Sequence, residues 1–219
     1  MNDFLRIFFK AVSYVFHPLL MPTYGTLIFL WAFPNIEVPT VAKEGDIIRT
    51  PEHLAISIFI NTFIMPAVAI LMMKALGFIK TLEMQDKQER IIPFIATMTF
   101  YIWAFLAVKN HFNYIPYIYT VFILGTLIST IVSFLITLLY KLSIHMVGAS
   151  GLLIASMLMM MNSELSLLNV FLAIVVVNGL VASARLYLKA HTVKQIYVGF
   201  MIGMLGQVAA LTVFTSFLS

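Results

Sequence analysis

Long apolar blocks separated by short polar intervals organise this chain. A membrane-spanning helix needs about 20 consecutive, mostly apolar residues. Seven blocks qualify or nearly qualify, at about 12–33, 54–79, 91–108, 115–140, 146–161, 166–188 and 194–218. The fifth is short, and the first carries His17, Pro18 and Pro22 near its start. Pro93 and Pro116 stand near the first turn of their predicted helices, where a missing N–H costs little. Pro66 falls inside its helix and predicts a kink. The substantial polar linkers are about 34–53 and 80–90, and no internal repeat or low-complexity tract interrupts the pattern. The pattern predicts an all-α fold, a polytopic transmembrane helical bundle of six to seven spans, in a single integral-membrane domain covering 1–219.

Composition strengthens that expectation. The chain is 62% apolar and 10% charged, against about 25% charged residues in a soluble domain. Its mean hydropathy is +1.01. With no cysteine there is no disulfide scaffold, thiolate metal site or cysteine nucleophile. Arg6 and Lys10 precede an apolar stretch that is long and lacks a small-residue cleavage site, so no cleaved signal is expected. The formal charge of +4 comes from basic residues scattered between apolar blocks, which fits basic loops at a bilayer and no nucleic-acid partner.

The acidic residues narrow the chemistry. Eight of the nine precede residue 90, Glu164 is the exception, and none lies within an apolar block. Ion-coupled carriers commonly use carboxylates inside their spans, so a transporter is disfavoured. The histidines and acids show no metal-ligand spacing, which favours chemistry without metal or cofactor.

Three polar clusters remain: Asp86-Lys87-Gln88-Glu89-Arg90, Ser143-Ile144-His145, and the segment from Ser183 to Gln195 that holds Arg185 and His191. Two spans separate each cluster from the next, so parity places all three on one membrane face. Ionisable groups at membrane depth are functional candidates. A guanidinium grips phosphate with a two-pronged fork, and a neutral imidazole attacks phosphorus. The combination points to phosphate chemistry at a membrane.

Over residues 80–203 these clusters resemble the type 2 phosphatidic acid phosphatase superfamily, whose motifs are K-x6-R-P, P-S-G-H and S-R-x5-H-x3-D. Arg185 and His191 reproduce the centre of the third motif, with Ala184 at the serine position, Ser183 just before it, and Gln195 where the family has aspartate. Ser143-Ile144-His145 is similar to a reduced second motif, with Leu142 for proline and Ile144 for glycine. For the first motif Arg90 fits, Glu83 occupies the lysine position, Lys80 and Lys87 are the nearest substitutes, and proline follows only at Pro93.

The resemblance implies a two-step phosphoryl transfer on a phosphorylated membrane lipid or isoprenoid diphosphate. His191 would form a phosphohistidine, and His145 would protonate the leaving oxygen and then help activate water. Arg90, Arg185 and Lys87 would hold the phosphoryl oxygens. A helix start near His145 would add an anion site, with Gly148 and Gly151 permitting close approach. Gln195, four residues past His191, can reach its ring and orient it but supplies no negative charge. The alternative is therefore a degenerate relative that binds a phosphorylated lipid as scaffold or carrier. His17, His53 and His111 lack partners at useful spacing and read as structural. Gly199-x3-Gly203 reads as a helix-packing pair. Ten of the thirteen basic residues fall on the cluster-bearing face, which by the positive-inside rule is cytoplasmic, in what reads as a bacterial inner membrane.

Overall fold

Residues 3–36, 50–81, 87–112 and 114–217 are described by the computed structural model, and every regular element among them is helical. Seven stretches are long and apolar enough to cross a membrane: Asp3–Ala32, Pro51–Ala75, Gln88–His111, Tyr117–Thr137, Ile144–Asn162, Leu168–Tyr187 and Val193–Ser216. The chain is an all-α polytopic bundle.

The first block departs from a single span over 12–33. Helix α1 (Asp3–Val15) starts earlier, and a 3-10 turn at Pro18–Leu20 separates it from α2 (Met21–Ala32). Pro18 biases His17 away from helical backbone, and His17 is indeed extended (φ −67°, ψ 139°). Its Nδ1 accepts the Leu19 N–H at 3.3 Å and caps the turn. The second span comprises α3 (Pro51–Phe59), a π-helical turn at Ile60–Ile64, and α4 (Met65–Ala75). The wider turn lies just ahead of Pro66 and accommodates the interruption that this proline imposes. His53 closes the N-terminal cap of α3, its Nδ1 accepting the Thr50 N–H at 3.1 Å. Helix α5 (Lys87–His111) begins four residues ahead of the expected block, so Pro93 lies inside it rather than in its first turn.

Helices α6 (Tyr117–Thr137), α7 (Ile144–Asn162), α8 (Leu168–Tyr187) and α9 (Val193–Phe217) complete the order. Little hydrophobic driving force exists between helices in lipid, so close backbone approach and polar contacts hold them. Helix α9 supplies the approach. A Cβ on Gly199 would sit 2.5 Å from the Ser143 carbonyl oxygen, one on Gly203 would strike Val147 O and Ser150 Oγ, and one on Gly206 would strike Ser129 Oγ. Gly199-x3-Gly203 is thus a packing pair, and α9 lies backbone-close to both α6 and α7. These registers make α7 and α9 parallel and α6 antiparallel to them. Buried Asn178 ties α8 to α7 through the Ala149 carbonyl at 3.1 Å. At one end of the bundle, Phe29, Leu54, Ile58, Val108, Ile118 and Tyr119 form a large apolar core. The opposite end is polar.

Candidate functional site

The spacing of Arg185 and His191 has a local explanation. Helix α8 ends in a Schellman turn: Lys189 N–H donates to Leu186 O at 2.9 Å and Ala190 N–H to Arg185 O at 3.1 Å. Lys189 takes the left-handed conformation (φ 52°) that this turn requires, a position usually filled by glycine. Helix α9 starts immediately afterwards with a capping box. Gln195 N–H donates to Thr192 Oγ1 at 3.4 Å, and Thr192 N–H donates to Gln195 Oε1 at 3.2 Å. The five-residue gap is therefore one helix stop followed by one helix start, and it returns His191 beside the last turn of α8.

That capping box also assigns the His191 proton. Gln195 Oε1 lies 3.1 Å from His191 Nδ1. The atom facing the Thr192 N–H has to be an acceptor, so the amide orientation is set, and Nδ1 must donate to the same oxygen. Nε2 is left bare. Burial and the charges of Arg185, Lys141 and Arg90 push the imidazole down to about 4, with the Gln195 bond pulling in the opposite direction. His191 is accordingly neutral at pH 7, with a lone pair on Nε2.

The other clusters arrive at the same end. Ser143 N–H donates to Gln195 O at 3.2 Å, which joins the start of α7 to the first turn of α9. His145, in the first turn of α7, is within electrostatic reach of Arg185, His17 and His191. Its Nε2 lies 3.1 Å from the Ser13 carbonyl oxygen, which can only accept, so His145 carries its proton on Nε2. Arg185 Nη1 donates to Ser13 Oγ at 3.3 Å. Helices α5, α7 and α9 all begin here, and their positive dipole ends favour an anion.

His191, His145, Gln195, Arg185 and Arg90 are thus brought together. Lys87 opens α5 one turn before Arg90, and its side chain lies outside the described residues, as do Asp86 and Glu83. Lys80 is exposed and its N–H donates to Glu89 Oε1 at 3.3 Å. Gly148 and Gly151 differ from expectation: a Cβ on Gly148 would meet the Met21 side chain at 2.9 Å, and Gly151 faces Gly203 O and the Gln207 amide. They serve helix packing, since α2 and α9 occupy the room that a ligand would need. No protein-family model, curated protein or solved structure matches this chain.

Three participants escape the motif spacing. His17 reads as structural from sequence, yet its ring lies edge-on to that of His145 with centroids 5.6 Å apart. Ser13 bonds both Arg185 and His145. Lys141, on the exposed turn before α7, reaches His191 electrostatically. No set of three His, Asp or Glu side chains among the described residues is placed to hold a metal ion. A neutral imidazole, the basic side chains of Arg185, Arg90 and Lys141, and a second, oppositely protonated imidazole form a set chemically able to engage a phosphoryl group.

Proposed function

We propose that this protein is a metal-independent phosphatase of the membrane, hydrolysing a lipid phosphate or an isoprenoid diphosphate through a phosphohistidine. The observation that carries the reading is the pair of hydrogen bonds that Gln195 Oε1 accepts from Thr192 N–H and His191 Nδ1–H, which leaves His191 Nε2 unprotonated among Arg185, Arg90 and Lys141. Nε2 attacks phosphorus, the P–N bond forms and the P–O bond to the lipid breaks. The leaving oxygen departs with the proton of the substrate's phosphate monoanion, relayed through His145 Nδ1, which is free to exchange because Nε2 is held by Ser13 O. Water then attacks the phosphohistidine, its proton passes through His145 Nδ1 to the departing phosphate, and both His145 and His191 return to their neutral forms. Arg185, Arg90 and Lys141 offset the charge on the phosphoryl oxygens, with Lys87 one turn from Arg90 as a further candidate. The resemblance to type 2 phosphatidic acid phosphatases supports the same reading, and the basic count favours the cytoplasmic side of the membrane for the site.

Purified protein is expected to release phosphate from such lipids with chelator present. His191→Ala is expected to lower release by at least about a thousandfold. Release that persists in His191→Ala, or that requires a divalent metal, overturns the reading.

A second reading draws on the capping role of Gln195, which accounts for that residue without any catalysis. In it the protein binds a phosphorylated lipid and does not cleave it. It predicts saturable binding weakened by Arg185→Ala and no phosphorylated histidine. Trapping phosphate on His191 excludes it.

A further inference from the structure

The resemblance starts near residue 80, yet residues 13–17 reach into the same site. Val12 and Ser13 are the buried residues of α1, while Phe4, Ile7, Phe8 and Tyr14 on the same helix are exposed. Apolar packing alone does not select a serine for burial. Both the hydroxyl and the carbonyl of Ser13 reach a site residue on another helix. Its Oγ donates to Phe9 O at 2.9 Å and accepts from Arg185 Nη1 at 3.3 Å, and its carbonyl accepts from His145 Nε2 at 3.1 Å.

His17 completes the arrangement. Its Nδ1 accepts the Leu19 N–H, so its own proton sits on Nε2, and its ring stands at 79° to that of His145. A single bond from Nε2 to a carbonyl leaves an imidazole able to swing about that bond. A second ring against it at 5.6 Å removes the swing. Facing His145 are therefore Ser13 from α1, His17 from the turn, Arg185 from α8 and His191 from the turn before α9.

Building on the phosphoryl-transfer reading, we infer that the N-terminal helix pair is a working part of the site. Ser13 and His17 are positioning residues that fix His145 with its proton on Nε2 and its Nδ1 available to the transferred group. Ser13 O does for His145 what Gln195 Oε1 does for His191.

The decisive comparison is His17→Asn with His17→Ala. Asparagine is a good helix N-cap and keeps an acceptor for the Leu19 N–H, but it removes the ring. Both variants are expected to lower kcat about ten- to a hundredfold, with KM changed by less than about twofold. If His17 merely caps the turn, His17→Asn matches wild type and the inference fails. The second readout needs no turnover: 15N-histidine NMR of the detergent-solubilised full chain reports the His145 tautomer. Wild type is expected to show protonated Nε2 and bare Nδ1 in one sharp ring environment, and His17→Asn the same tautomer with broadened or multiple ring signals. A His145 ring as well ordered in His17→Asn as in wild type overturns the inference. Absence of phosphate release from wild type would strike the phosphatase reading alone, because the NMR comparison stands without it.

Discussion

His191 and His145 are held by the same kind of bond over very different distances along the chain. His191 is oriented by an amide oxygen four residues away, inside a capping box that any helix start could use. His145 is oriented by a backbone carbonyl 132 residues away, on a peripheral helix. Neither acceptor carries a charge, so each fixes a tautomer without stabilising an imidazolium as a carboxylate would. Local support is cheap to form and self-contained. Distant support depends on every helix between the partners being seated, so it couples the site to the packing of the bundle.

Breaking the distant frame should have the largest effect. Gly203→Val drives a branched side chain into the Val147 carbonyl and Ser150 Oγ, and is expected to cost about 3 kcal/mol of stability. Gly179→Ala, with open space around its Cβ, is expected to stabilise by up to about 1 kcal/mol. Thermal unfolding in detergent compares the two, and equal shifts would contradict the seam.

Sharpening the local support comes next. Gln195→Glu keeps the reach needed for both bonds and adds the missing charge, so single-turnover phosphorylation of His191 should rise about tenfold. The same measurement across pH tests the sign. Activity governed by His191 is full above its titration near 4 and falls as pH drops through it. Gln195→Glu moves that acid limb upward, because the carboxylate favours the imidazolium. Gln195→Ala moves it downward, because the bond it removes raises the value.

Two smaller effects separate turn from site. Lys189→Gly relieves a left-handed lysine and should stabilise the protein by about 1 kcal/mol, read as a higher Tm with unchanged kcat. Ser13→Ala deletes the hydroxyl contact to Arg185 but keeps the carbonyl that holds His145, so kcat should fall only about threefold. A loss as deep as that of His17→Asn would assign the support to the hydroxyl instead.

The spans were legible because each needs only a continuous apolar run, and their ends agree with the structure to within a few residues outside the first span and α5. Parity of the spans was enough to bring Arg90, His145 and His191 to one end. The Thr192-x-x-Gln195 box is written in the sequence as a helix start too, but it coincides with the position where the resemblance expects aspartate, so one residue carries two signals. His17 and Ser13 were illegible for a physical reason. Their partners are on α7 and α8, and nothing in local spacing records which distant helix will lie alongside. Pro93 was misplaced because a proline signals the end of a hydrogen-bond run and not how far upstream the helix begins.

Where Gly199, Gly203 and Gly206 bring backbones together, no layer of flexible side chains remains to be compressed. A bilayer that is too thin or too thick makes helices tilt or bend. Such a load is taken up where the structure is compliant: the π-turn ahead of Pro66 and the break at Pro18. The α6–α7–α9 unit acts instead as a stiff mount, so the spacing of His145 and His191 is insulated from lipid length. The hydrogen bond from His145 to Ser13 O reaches across the break at Pro18, so this contact, unlike the spacing within the α6–α7–α9 unit, changes whenever α1 tilts against the rest of the bundle.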